Sequence, residues 1–257
     1  METKDSKIIL YCFAGRKNYM EIQIKYIVKL LEKYDYIKYY DIWDFSWNQD
    51  DSKYIHTLVN FHPKIRIRYA PNFGQAMRDN PVSSRQIGYL FTDGYPYSEY
   101  SDYYFVKIDD DIVFVDINNF EKYINKVINS PEYFLISADV INNDMSRENI
   151  AENLHKTFLN EGPSKDEIHE EPFSNENRLS INFVAYSGKD LNYIYSEFGN
   201  KLGADDEWRL CHKVAKRLNR QNLVIKNYNV VHFSFGSQRG KFNEDTFLSK
   251  YKQFQYL

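Results

Sequence analysis

The sequence predicts an α/β protein built on an open, mostly parallel, Rossmann-like sheet flanked by helices. Short apolar runs alternate with segments of helical periodicity through the first 140 residues, the pattern of a sheet whose strands are joined through helices. The first run is almost continuously apolar, as a strand buried on both faces should be. Pro63 and Pro81 stand where one helix must stop and another can start.

Each element follows from its residues. Lys7 to Phe13 (KIILYCF) suits a buried strand, with Ala14-Gly15-Arg16 as the loop after it. Ile24, Ile27, Val28 and Leu31 repeat at helical spacing, so a helix runs to about Lys33. Tyr36 to Ile42 reads as a second strand, Asp51 to Phe61 as a helix ended by Pro63, and Ile65 to Tyr69 as a third strand. A helix is expected near Ser83 to Phe91. Tyr103 to Ile108 is a strand that ends on three aspartates, and Ile112 to Val115 continues extended. Phe120, Tyr123, Ile124, Val127 and Ile128 make a helical stripe, and Tyr133 to Ala138 a further strand. The stretch from Ile141 to Arg178 is polar, a long excursion with one helix near Ile150 to Phe158. Regular structure returns at Leu179 to Tyr186. A helix opens at Asp205 with Trp208, Cys211, Ala215 and Leu218 on one face, and Val230 to Phe233 is the last apolar run. No repeat or linker divides the 257 residues, so a single domain over 1–257 is expected.

Composition narrows the function. The chain is 43% hydrophobic and 27% charged, which is ordinary for a globular protein. Its formal net charge of -3 lacks the basic excess of a nucleic-acid binder. The 23 Tyr and 18 Phe suit a biased genome for the most part, and aromatic platforms for sugar rings in a few places. Cys12 and Cys211 alone make no disulfide framework, which points to a reducing, cytoplasmic setting. The segment Met1 to Lys7 has no signal-peptide pattern, and no apolar run approaches the roughly 18 residues of a membrane span.

The acidic triplet Asp109-Asp110-Asp111 carries the chemistry. It lies between FVKI and IVFV, both of which want burial. Three adjacent carboxylates near a core repel one another and are penalised by desolvation. A divalent cation such as Mn²⁺ or Mg²⁺ relieves both problems and would share the site with substrate phosphates. An acidic turn exposed to solvent is the plainer alternative.

An apolar strand ending in Asp-x-Asp near residue 100 of an α/β chain resembles the signature of GT-A glycosyltransferases. The resemblance implies that Asp111 binds the metal directly, that Asp109 faces the ribose or a metal-bound water, and that Asp110 belongs to the same nucleotide-contacting turn. The segment Val230-Val-His232-Phe-Ser-Phe-Gly236-Ser-Gln-Arg239 is similar to the late His, Gly and basic residue of that class. It implies His232 as a further metal ligand beside Asp109 and Asp111, and Gly236 and Arg239 as diphosphate contacts. Gly203-Ala-Asp205-Asp206-Glu207-Trp208 resembles the segment in which inverting members keep a catalytic base. Asp206 would be that base, with Asp205 next to it; both residues equally suit the N-terminus of a helix. Phe13, Ala14 and Arg16 lie where the class seats base and ribose, and Asp41 where it has an acidic residue reading the base. Gly74-Gln-Ala-Met-Arg78 resembles its Arg-containing segment ahead of Asp-x-Asp, and Arg85 follows on the next helix.

The resemblance implies a GT-A-like fold, with a nucleotide-binding half over about 1–116 and an acceptor-binding half over about 117–257. It implies a metal-dependent hexosyl- or pentosyltransferase, taking a nucleotide sugar (UDP-sugars favoured) and a glycan or small hydroxyl acceptor. A sugar-nucleotide nucleotidyltransferase is the alternative, although the loop after the first strand offers one glycine, Gly15, rather than a Gly-rich run. A non-catalytic sugar-binding protein is the other.

Overall fold

Strand β1 (Lys7–Ala14) lies inside the sheet, flanked on both sides by parallel neighbours. The computed structural model to which it belongs describes residues 5–46, 48–68, 94–143, 150–198 and 206–254. The two-residue period of a strand sends its side chains to two cores. Ile8, Leu10, Cys12 and Ala14 enter one, Ile9 and Tyr11 the other. Both faces are covered, which is why the segment reads as an unbroken apolar run.

Helix α1 (Lys17–Lys33) buries Met20, Ile24, Ile27 and Leu31 against the first core, with Lys33 at its C-terminal turn where the helix dipole favours a cation. Then come β2 (Ile37–Asp44), α2 (Gln49–Thr57) and β3 (Ile65–Arg68). Asn48 caps α2 by accepting the Asp51 N–H at 2.8 Å. A one-turn helix α3 (Tyr97–Tyr100) precedes β4 (Tyr103–Ile108) and β5 (Ile112–Val115). Helix α4 (Phe120–Asn129) buries the expected stripe of Phe120, Tyr123, Ile124, Val127 and Ile128. Strand β6 (Tyr133–Ile141), helix α5 (Ala151–Glu161), β7 (His169–Phe173), β8 (Phe183–Ser187) and helix α6 (Leu191–Phe198) follow. Asp206–Trp208, a π-helical turn Arg209–Val214 and Ala215–Arg217 run on as one helical stretch, α7. The described chain closes with β9 (Gln221–His232) and α8 (Glu244–Gln253).

The strands join in one sheet in the order β3-β2-β1-β4-β8-β6-β9-β5, with β7 also on β9. From β3 to β4 every pairing is parallel, as expected. Beyond β4 the sheet is mixed. β8 runs antiparallel to β4 and β6, β6 and β9 are parallel, and β5 and β7 are antiparallel to β9. Helices α1, α4, α5 and α8 cover one face, while α6 and α7 cover the other.

Several elements carry no apolar signature. The excursion from Ile141 to Arg178 holds α5 and also β7, whose residues HEEPF are mostly exposed and include Pro172, as suits an edge strand. Strand β9 begins nine residues before Val230. Its polar middle bulges: the register jumps between Ala138 and Asp139, with Asn227 at φ 64. Asp139 accepts hydrogen bonds there from Lys226 Nζ at 2.6 Å and the Asn227 N–H at 3.1 Å. The helix expected near 83–91 lies outside the described residues. Among those that are described, no helix is long and apolar enough to cross a membrane, and Cys12 and Cys211 are both buried.

Candidate active site

Parallel pairing brings the C-terminal ends of β1 and β4 to the same edge of the sheet, the edge where open α/β sheets collect ligands. Asp109 follows β4 directly, and the acidic turn is clamped from three sides. The Asp109 N–H donates to Asn182 O at 2.9 Å, ahead of β8, and the Phe233 N–H donates to Asp111 O at 2.9 Å, after β9. From α1, the fully buried Gln23 donates through Nε2 to Asp109 O at 2.6 Å and accepts from the Tyr40 hydroxyl.

Each carboxylate of the triplet has its own partners. Asp110 accepts from the Gly15 N–H at 3.0 Å and from Arg16 through Nε at 3.1 Å and Nη2. Asp111 lies 2.9 Å from Arg16 Nη2, 3.3 Å from His232 Nε2 and 3.8 Å from Arg239 Nη2. Asp109 accepts from Lys107 Nζ, which also donates to Ile181 O at 2.9 Å. The sequence shows Lys107 as the only cation beside the triplet. The fold adds Arg16 from the loop after β1, which spreads one guanidinium across two carboxylates. Its Nη1 is buried with no hydrogen-bond partner among the described residues, an unmatched donor on the site.

The charges follow from this geometry. Burial pushes the Asp109 carboxyl up to about 6, against the pull of Lys107. Burial also opposes ionised Asp111, but His232 and Arg16 outweigh it and hold that carboxyl well below the usual range. Burial would lower His232, and Asp111 reverses the direction and raises it. Lys107 is raised because Asp109 and Asp206 overcome its burial. Asp206, at the described start of α7, is thus near enough to Lys107 to act on its charge.

His232 turns its Nε2 toward Asp111. Its Nδ1 lies 3.2 Å from the Asn142 carbonyl oxygen, an acceptor only, so Nδ1 carries the hydrogen. In the neutral ring Nε2 is then a lone pair facing a carboxylate oxygen at 3.3 Å. Two acceptors that close need a positive charge between them, a proton or a metal ion. Among the described residues no three His, Cys, Asp or Glu side chains converge as a metal-binding cluster. Asp111 and His232 form a pair, and Asp109, expected as a third ligand, is turned to Lys107 instead. A carboxylate and an imidazole suit Mn²⁺ or Mg²⁺ when phosphate and water oxygens complete the shell.

The other expected residues fall into three groups. Phe13, Ala14, Gly236 and Arg239 lie around the triplet or on the segments that lead to it. Phe13 is 5.0 Å from the Phe45 ring and has Lys107 Nζ 5.9 Å from its centre; Ala14 O accepts the Phe45 N–H at 2.7 Å. A Cβ at Gly236 would meet nothing within 4 Å among the described residues. Asp41 differs from expectation. It sits inside β2, which continues to Asp44, and is fully buried. Its carboxylate accepts from Arg66 at 2.7 and 2.8 Å and from the Tyr95 hydroxyl at 3.0 Å, so it has internal partners rather than a face open to a base. Tyr186, at the end of the run from Leu179, is likewise a core residue, donating to the Tyr11 hydroxyl at 3.1 Å and stacked on Phe105. Arg78, Arg85 and Asp205 lie outside the described residues. Sequence reasoning missed Gln23, Asn142 and Gln238. Gln23 is a polar residue inside an apolar helical stripe, a signal that was there to find; the other two have no local signature.

No protein-family model matches the chain, and no curated protein matches it. Solved structures do. Glucosyl-3-phosphoglycerate synthase from Mycobacterium tuberculosis, in complex with Mn²⁺, UDP and phosphoglyceric acid, matches with a TM-score of 0.54 at 13% identity over 97% of this chain and 79% of that one. A mannosyltransferase from Pyrobaculum calidifontis, in complex with GDP-Man and Mn²⁺, matches with a TM-score of 0.52 at 10% identity over 92% of this chain. The match spans 59% of that mannosyltransferase's length. A 4-diphosphocytidyl-2C-methyl-D-erythritol synthase from Anaerococcus prevotii DSM 20548 matches with a TM-score of 0.48 at 10% identity over 96% of both chains. At these identities the first two likenesses are likenesses of fold, and they agree with the α/β, GT-A-like architecture.

Proposed function

We propose that the chain is a glycosyltransferase that moves a sugar from a nucleoside-diphosphate sugar, UDP-sugars favoured, to a hydroxyl of a glycan or small acceptor. The observation that carries this reading is the facing pair of Asp111 and His232 at the ligand edge of the sheet, with Arg16 and Arg239 beside it. Two proteins of the same fold hold Mn²⁺ together with UDP or GDP-Man, and the reading extends that combination to this chain. Asp111 and His232 would hold Mn²⁺ or Mg²⁺. When bound, the ion supplies positive charge to the departing diphosphate.

The chain's own residues do the rest. Arg16, with its unmatched Nη1, and Arg239, half exposed, offer donors to phosphate oxygens. Phe13 and the loop through Arg16 flank the place for base and ribose, within the nucleotide half over about 1–116. Asp206 deprotonates the acceptor hydroxyl if the reaction inverts the anomeric centre. Both halves would belong to one domain over 1–257.

A thermal-shift panel of UDP, GDP and TDP with Mn²⁺ or with excess chelator tests the reading. Ligand at a hundred times its Kd adds about 2.7 kcal/mol, a rise of roughly 5–10 °C for a domain of this size. The rise is expected with metal and not with chelator; equal stabilisation in chelator removes the metal bridge. Release of pyrophosphate from a nucleoside triphosphate and a sugar phosphate would identify a nucleotidyltransferase instead.

A further inference from the structure

Behind His232 lies a buried polar assembly that the proposed reaction does not use. Asn142 directly follows β6 with φ 63, in the left-handed region that asparagine tolerates better than most residues. Its Nδ2 donates to Phe233 O at 2.9 Å and Gln238 Oε1 at 2.9 Å, with His232 O at 3.3 Å. Gln238 Nε2 donates back to Asn142 Oδ1 at 2.9 Å, and Gln238 Oε1 also accepts the Phe235 N–H at 3.0 Å. The two side-chain amides thus form a closed pair, at 3% and 0% exposure. Their orientation is forced. The carbonyls of His232 and Phe233 can only accept, and Phe233 O also takes His155 Nε2 at 2.7 Å, so Nδ2 faces them and Oδ1 is left for Gln238.

This pair sits between the two arms of the site. The Asn142 carbonyl accepts from His232 Nδ1, and Gln238 immediately precedes Arg239, whose guanidinium approaches Asp111. Phe233, held through its carbonyl by Asn142, donates its N–H to Asp111 O. Resting on the metal reading above, we propose that Asn142 and Gln238 are positioning residues. Their amide pair locks the Asn142 carbonyl against His232 Nδ1, which presents Nε2 to a divalent cation, and seats the turn that carries Arg239 beside it. Neither side chain touches the ion or the nucleotide.

The test compares the wild type with Asn142→Gly and Gln238→Met. Glycine keeps the left-handed backbone while removing the amide, and methionine keeps the length of Gln238 without its polar ends. Circular dichroism checks folding, and the paramagnetic resonance of free Mn²⁺ measures its affinity in the presence of UDP. Groups that orient a metal-bound histidine change metal affinity by about ten- to a hundredfold. Each variant is expected to bind Mn²⁺ at least about tenfold more weakly, and the double variant little worse than either, because the pair acts as a unit. Nitrogen-15 spectra of histidine-labelled, metal-free protein, taken where His232 is neutral, supply an independent readout. The wild type should show the Nδ1–H form, and the variants a mixture. An Nε2–H form of His232 in the wild type overturns the proposal with no variant needed. Folded variants that bind Mn²⁺ as the wild type does overturn the positioning role alone. A wild type that binds no Mn²⁺ with UDP overturns the metal reading and this inference with it.

Discussion

A carboxylate and a neutral imidazole 3.3 Å apart in a buried site need a cation between them, and at His232 that cation is a proton or a metal ion. In the proposed reading, proton and metal compete for Nε2. Because Asp111 raises the folded-state pKa of His232, the stabilisation from its proton is complete below about 6.5 and is lost as pH rises through the raised value. The metal-free protein should lose thermal stability over that window, while Mn²⁺ affinity grows over the same window as the ring gives up its proton. Mn²⁺ titrations at stepped pH decide this; an affinity flat from about pH 6 to 9 removes His232 from the metal site. Asp206 invites a separate test. Asp206→Asn keeps the shape and the helix-start role but removes the basic oxygen. Donor binding should persist and turnover fall by about a hundredfold or more. Steady-state kinetics with near-normal turnover would assign Asp206 to the helix start and move attention to Glu207, whose carboxyl burial raises and whose neighbours include Arg178, Asp206 and Lys107. The triplet was legible in the sequence because charged residues between apolar runs demand an explanation, and His232 only through the resemblance to GT-A glycosyltransferases. Arg16 was legible as a candidate but not as the triplet's counterion, since their contact joins segments more than 90 residues apart.

Elements with a period were readable, and those held by polar contacts were not. Helix α4 announces itself through its five-residue stripe. Strand β7 does not, because most of its side chains face solvent, only Phe173 packs against the second core, and the backbone holds it to β9. In α7 the expected face is partly realised: Cys211 and Ala215 enter the second core, while Trp208 stacks on His212 with ring centres 3.9 Å apart. The π-helical turn Arg209–Val214 shifts the phase, so Leu210 and Val214 complete the buried stripe. Gly188 shows how closely two elements meet. It opens a one-turn 3₁₀ helix, Gly188–Asp190, against α3, and a Cβ there would lie 2.1 Å from Tyr100 O and 2.8 Å from Tyr103 O. Both obstacles are backbone, so they cannot swing aside. Gly188→Ala should cost about 2 kcal/mol, in the range of overpacked sites, and lower Tm by roughly 5 °C. A scanning-calorimetry trace matching wild type would mean that α3 moves away freely.

Across the molecule, a parallel half from β3 to β4 joins a mixed half along the line between β4 and β8, and the acidic turn sits at that join. Protection from exchange should follow the sheet. Amides of β7, paired on one side to β9 and carrying exposed side chains, should exchange about tenfold or more faster than those of β6, which lies between β8 and β9. Hydrogen-exchange mass spectrometry reads this directly, and equal protection would show β7 to be covered by something beyond the described residues. By itself, the sequence determined the α/β class, the described strands and helices of the first 140 residues other than the one-turn α3, and the acidic turn at a strand end. All of these rest on local periodicity or on charge set against apolar neighbours. Tertiary structure alone decided the mixed pairing beyond β4, the burial of Asp41 on Arg66 and Tyr95, the bridging of Asp110 and Asp111 by Arg16, and the amide pair behind His232. Each depends on contacts between residues far apart in the chain, and side-chain hydrogen bonding of that kind leaves no period in the sequence.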